Sequence, residues 1–155
     1  MSKEKVLADL QAKIGTDTKV GDWATVDQAR INQFADATGD HQWIHVDPER
    51  AKRESPFGDA VAHGFLTLSL IPGLTGSVTG EAPPYPGVKL GVNYGLNRVR
   101  FPAPVKVDSQ VRARSTLKEV QDVGAALQMV TEVTIEVQGQ DKPCCVAETV
   151  SRLYF

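Results

Sequence analysis

The chain has 155 residues, a length that suits one domain, spanning 1–155, around one sizeable core. Apolar residues make up 41% and charged residues 23%, and the net charge is −2 with no block of like charge; this argues against a nucleic-acid binder that works by neutralising phosphates. No apolar run is long enough to cross a bilayer and the first residues lack the apolar core of a secretory signal, so the cytoplasm is the expected compartment.

In chain order, Val6, Leu7, Leu10 and Ile14 form an apolar stripe at helical spacing, with Gly15 as its stop. A short strand is expected over 19–26. Asp27 can cap a second helix whose inner face carries Ile31, Phe34, Ala35 and Thr38, and Gly39 ends it. Asp47-Pro48 reads as the start of another helix, which makes 39–46 a loop. From Gly64 to Thr75 the residues are nearly all apolar, so this helix is expected to be buried all round, with Pro72 bending or ending it. Residues 76–87, rich in Gly and Pro, read as loop.

The period then changes to two. Val88, Leu90, Val92, Tyr94 and Leu96 alternate with polar or small residues as in a half-buried strand. The phase slips to Val99 and Phe101, which predicts a β-bulge near Asn97-Arg98. Pro102 and Pro104 mark a turn; strands follow around 111–117, 125–137 and 144–155. Adjacent Cys144 and Cys145 would point to opposite faces, so both read as buried structural residues rather than a bridge or shared metal site. Helices first and long antiparallel strands after make an α+β fold, a curved sheet wrapped around a helix.

The chemistry is concentrated in Thr38-Gly39-Asp40-His41-Gln42-Trp43-Ile44-His45. A carboxylate and an imidazole five positions apart do not share a helix face. In a loop that folds back they can converge on one water, one taking a proton and the other returning one. Burial near Trp43 and Ile44 would raise the carboxyl pKa and lower that of the imidazole. The alternative is that Asp40 caps a turn and His45 is a satisfied, semi-buried side chain. Three histidines without ligand spacing make no case for a metal. There is also no phosphate-binding glycine loop and no G-x-S-x-G.

Thr38-Gly39-Asp40-x-x-x-Ile44-His45-x5-Ala51, followed by Ala62-His63-Gly64-Phe65-Leu66, resembles the hydratase signature of the MaoC-like family. Asn93-Tyr94-Gly95-Leu96-Asn97-Arg98-Val99-Arg100-Phe101-Pro102 is similar to its mycobacterial type, and the similarity runs from about Val20 onward. The resemblance implies a hot-dog fold and (R)-specific hydration of trans-2-enoyl-CoA, or the reverse dehydration of a 3-hydroxyacyl thioester, in fatty acid metabolism. It implies that Asp40 and His45 are the catalytic pair and that the backbone N–H of Gly64 polarises the thioester carbonyl. A helix N-terminus suits that task, since its N–H groups are unsatisfied and its dipole is positive; the plainer role for Gly64 is close packing.

His63, Asn93, Asn97 and Arg98 are further candidates for substrate contact, with Arg98 and Arg100 suited to coenzyme A phosphates or to carboxylates at a subunit boundary. His63 is expected to pack or hydrogen-bond rather than react, and His41 to lie near the site mouth. Gln42-Trp43 stands where most members carry Asn-Pro, and Pro72 where some carry a serine. No organic cofactor or metal is expected, coenzyme A being part of the substrate. The expected assembly is a homodimer, because a single small sheet leaves an edge strand. Two rivals share the fold. A thioesterase would place a carboxylate on or near the central helix, and 64–75 holds none. A non-catalytic acyl-thioester binding module would not need Asp40 and His45.

Overall fold

The computed structural model describes residues 2–16, 18–77 and 85–155. Its helices begin where capping chemistry allows. Helix α1 (Lys3–Gln11) is capped by the Ser2 hydroxyl and buries Val6 and Leu10 completely. Helix α2 (Gln28–Thr38) starts where the Arg30 N–H donates to the Asp27 carboxylate at 2.8 Å, and it ends at Gly39, whose φ of 81° only glycine adopts without strain. Ile31 and Ala35 form its buried side; Thr38, expected inward, is exposed and donates its hydroxyl to the Phe34 carbonyl. Helix α4 (Pro48–Glu54) has Asp47 as cap and Pro48 in its first turn.

Two corrections concern the segments around these helices. The strand expected over 19–26 is two short strands, β1 (Thr18–Val20) and β2 (Ala24–Val26), and both pair with β4 (Ser109–Asp122). Between them Gly21 donates its N–H to Ala113, and a Cβ there would lie 2.2 Å from the Leu74 carbonyl oxygen, so the chain passes too close for any side chain. The stretch expected as a loop contains a single helical turn, α3 (Trp43–Val46). It is too short to show a hydrophobic period, which explains why the pattern did not reveal it.

The sheet is antiparallel, with order β1–β4–β5–β6–β3, where β3 is Leu90–Arg100, β5 Ala126–Val137 and β6 Cys145–Tyr154. In β4 and β5 the alternation holds, with Val111, Ala113, Val133, Ile135 and Val137 inward. These side chains join Ile31, Leu66, Ile71 and both cysteines in the main core, while a second cluster gathers Val6, Leu10, Leu127 and Leu153. In β3 the register against β6 shifts between Leu96 and Arg98, where a bulge was expected, and again between Asn93 and Gly95. Strand β3 is not half-buried: nearly all of it is exposed, because it is the edge strand and no helix of the described chain covers its outer face.

The apolar segment 64–75 is also less buried than its composition suggests. It divides at Leu70 into α5 (Gly64–Ser69) and α6 (Ile71–Thr75), the break falling just before Pro72, which cannot supply a donor to the preceding turn. Leu66, Thr67 and Ile71 are buried, with Leu68, Leu70 and Leu74 partly so, but Phe65 is 69% exposed. The helices pack against β6 and β4, and the expected burial all round fails at Phe65, whose ring meets that of Phe101, just past β3, in a T-shaped contact.

Candidate active site

Helix α3 carries His45 into the interior, where 7% of its surface remains exposed. The N–H of Val61 donates to the Ile44 carbonyl, and the imidazole Nδ1 of His45 lies 2.6 Å from the Val61 carbonyl oxygen. A carbonyl only accepts, so Nδ1 holds the ring proton and Nε2 is left with its lone pair. The main-chain carbonyl of His45 accepts from the side-chain amide of Gln28 on α2 at 2.7 Å. Ring and backbone are therefore both fixed. Burial pushes the His45 pKa below its ordinary value, and the neighbouring His63 adds to that; the Val61 bond and the Asp40 carboxylate oppose it. The imidazole is held as a neutral base.

Asp40 lies in the turn between α2 and α3, which the left-handed Gly39 reverses toward His45. The Gln42 N–H donates to its carboxylate at 3.3 Å, and its own N–H donates to the Thr38 hydroxyl at 3.4 Å. Unlike the expectation of burial, Asp40 is exposed. His41 faces outward to Asp36 at 2.9 Å, and that contact raises its pKa. Trp43 begins α3, a position whose backbone N–H has no helical partner, and its ring lies under the Arg50 guanidinium of α4. Proline suits the same position, so the turn tolerates either residue.

His63, at the cap of α5, completes the cluster. It is 2% exposed, its Nε2 donates to the Asp40 main-chain carbonyl at 2.9 Å, and its ring stacks on His45 with centroids 3.9 Å apart. Potential ligand atoms of Asp40, His45 and His63 all lie within 4.8 Å of one another. The two rings are only 26° from parallel, so their lone pairs do not converge as a tetrahedral metal site requires.

A cavity of about 310 Å³ opens beside His45, lined by Ile44, Phe57, Val61, Phe101, Val105 and Cys144, with Gly64 and Thr67 of α5. Burial pushes the Cys144 thiol up to about 12, so it serves this wall as an apolar group. As the first residue of α5, Gly64 has an N–H without a partner inside the helix. The Phe101 ring lies 3.0 Å from where a Cβ on Gly64 would stand, so glycine keeps this approach open. Phe57, Thr67 and Phe101 were not singled out in the sequence as wall residues; only the turn at Pro102 and the helical offset of Thr67 from Gly64 hinted at them.

Asn93, Asn97 and Arg98 do not line the cavity. All three are exposed on β3, with the Asn97 amide donating to Glu148 of β6 at 2.8 Å. Arg98 has no ion pair among the described residues, and Arg100 donates to the Val99 carbonyl.

A six-stranded antiparallel sheet with the central helix packed on it is the architecture of a hot-dog protein. The fold matches the X-ray structure of a monoamine oxidase regulatory protein from Archaeoglobus fulgius with a TM-score of 0.76 at 25% identity, covering 89% of this chain and 88% of that one. Residues 9–139 match the family described as MaoC like domain. The chain is 53% identical over 147 residues to 3-hydroxyacyl-thioester dehydratase Z of Mycobacterium tuberculosis (strain ATCC 25618 / H37Rv), covering 94% of each. It is 47% identical over 153 residues to nodulation protein N of Rhizobium leguminosarum bv. viciae, covering 98% of this chain and 93% of that one. The chain therefore belongs to the MaoC-like dehydratase family, and it is an enzyme of the hydratase/dehydratase class.

Proposed function

We propose that the protein catalyses reversible, (R)-specific hydration of trans-2-enoyl-CoA to (R)-3-hydroxyacyl-CoA, in fatty acid metabolism in the cytoplasm. The observation that carries this reading is His45 itself: a buried neutral imidazole with Nδ1–H committed to the Val61 carbonyl and a basic Nε2 beside Asp40. In the forward direction His45 Nε2 accepts a proton from a water held between it and Asp40. The water oxygen attacks C3 of the enoyl chain. Asp40, protonated at that stage, delivers a proton to C2 on the same face. The Gly64 N–H stabilises the enolate oxygen between the two events. The proton that His45 takes from the water is the one that passes through the adjacent Asp40 carboxylate to C2, so the cycle ends as it began, with a neutral imidazole and a carboxylate.

The acyl chain is assigned to the apolar cavity, with the thioester between Gly64 and Asp40–His45. Arg98, exposed and without an ion pair among the described residues, is assigned to the coenzyme A phosphates, with Asn93 and Asn97 on the same strand. The reaction so written uses neither metal nor organic cofactor. The active unit is a homodimer that covers β3, because Phe101, directly after that exposed edge strand, both lines the cavity and lies open to solvent.

The test is an assay of purified protein with trans-2-enoyl-CoA of several chain lengths, with chiral analysis of the product. Loss of the conjugated enoyl absorbance with formation of (R)-3-hydroxyacyl-CoA is the expected result. Release of free thiol from a saturated acyl-CoA would identify a thioesterase instead, and binding without turnover a carrier module.

A further inference from the structure

We propose that His63 is a positioning residue whose single imidazole sets both halves of the Asp40–His45 pair, through a hydrogen bond to the Asp40 main chain and a stack against the His45 ring. The inference rests on the hydratase reading for its kinetic consequence and on the geometry alone for its physical one. Three contacts define it. Nε2 of His63 donates to the Asp40 carbonyl at 2.9 Å, its ring lies 3.9 Å from that of His45, and its other side meets Phe34 of α2 at 4.9 Å. His63 is also bonded directly to Gly64, so one residue adjoins the Asp40 main chain, the His45 ring and the Gly64 N–H. Its Nδ1 is buried with no hydrogen-bond partner among the described residues, a cost that simple packing does not require. A phenylalanine would fill the same volume and keep the stack without leaving a buried nitrogen unpaired.

The carbonyl of Asp40 accepts, so neutral His63 carries its proton on Nε2. It thus gives the His45 imidazolium formed during turnover a neutral ring to stack on. If His63 itself gains a proton, it opposes charging of His45. The other groups bearing on His45 are the Asp40 carboxylate, which favours its charged form, and the neutral Gln28 amide and Cys144 thiol.

The test compares the intact protein with His63→Phe and His63→Gln by three measurements: steady-state kinetics on trans-2-enoyl-CoA, thermal melting, and NMR titration of His45. His63→Phe keeps the stack and loses the bond to Asp40. Its kcat should fall about 10- to 100-fold, as expected for a misplaced reacting group, with KM and Tm nearly unchanged. A protonated His63 opposes charging of His45, so with no ionisable ring at position 63 the His45 titration should move to higher pH. His63→Gln, whose amide N–H can still reach the Asp40 carbonyl, should recover part of the lost kcat. Wild-type kcat together with an unmoved His45 titration in His63→Phe would overturn the proposal and leave His63 a packing residue. If His63→Phe does not fold, the His45 titration in His63→Gln decides: a move to higher pH upholds the proposal and an unmoved titration overturns it. If the unaltered protein does not hydrate enoyl-CoA, the hydratase reading fails by itself. The titration then decides separately whether His63 controls His45: a shift upholds the proposal and no shift overturns it.

Discussion

At the scale of single residues, the site is governed by which nitrogen of each imidazole holds its proton. Both histidines donate to main-chain carbonyls, so their tautomers follow from the backbone rather than from each other. This has a consequence for pH. The His45 pKa is lowered from an ordinary value of 6.5, chiefly by burial. Below 6.5 the unfolded chain takes a proton at this position before the folded one does, so stability contributed here is lost as pH falls through that range. A base of lowered pKa stays active further into acid, so the acid limb of kcat/KM should fall below 6.5 in a pH–rate profile. A limb above 6.5 would show that His45 is not the base, or is not buried when the enzyme works. The residue types and spacing of Asp40 and His45 were legible in the sequence, because their chemistry is local. The contact of His63 with Asp40 was not, since the 23-residue separation closes only when α5 meets the turn before α3.

At the scale of elements, the segment before β2 is pinned to the end of α6 by the close passage of Gly21 under the Leu74 carbonyl. Gly21→Ala forces one of the two backbones to move. It should destabilise the protein by about 1–3 kcal/mol, the usual cost of overpacking, measured as a lowered midpoint in urea. An unchanged midpoint would mean that this contact is loose. Caps at Asp27 and Asp47, the stop at Gly39 and the bulge after Leu96 were all readable, because each depends on residues within one turn or one pleat. The division of the central helix at Leu70 was only half readable: Pro72 announced a break but not its position. Strand alternation in β3 gave the right element and the wrong burial. Alternation reports which side chains share a face, not whether anything covers that face.

At the scale of the whole molecule, the conspicuous feature is an unfinished surface. Leu90, Val92, Tyr94 and Leu96 on edge strand β3 lie open together with Phe65 and Phe101, and Tyr94 is 57% exposed even with Arg152 over its ring. A long exposed apolar edge strand invites pairing, and an isologous contact between two copies would close it. Light scattering of the purified protein at micromolar concentration should therefore give the mass of a dimer, and Leu96→Lys should shift it toward monomer. A wild-type protein that runs only as a monomer would contradict this assembly. The cavity shares Phe101 with the patch, so the monomeric variant should also bind enoyl-CoA more weakly.

The central claim is that Asp40 and His45 act together on one water. It is tested most directly by the hydration rate of trans-2-enoyl-CoA in Asp40→Asn, His45→Ala and the double variant, each compared with the unaltered protein at equal folded fraction. Each single substitution should reduce the rate by about 10²- to 10⁴-fold, the usual contribution of a positioned acid or base. The double variant should lose far less than the product of the two, because groups that act as a unit are not additive. Melting temperature should change little for Asp40→Asn, since that side chain is exposed. Asp40→Asn protein that hydrates enoyl-CoA at the unaltered rate would contradict the mechanism.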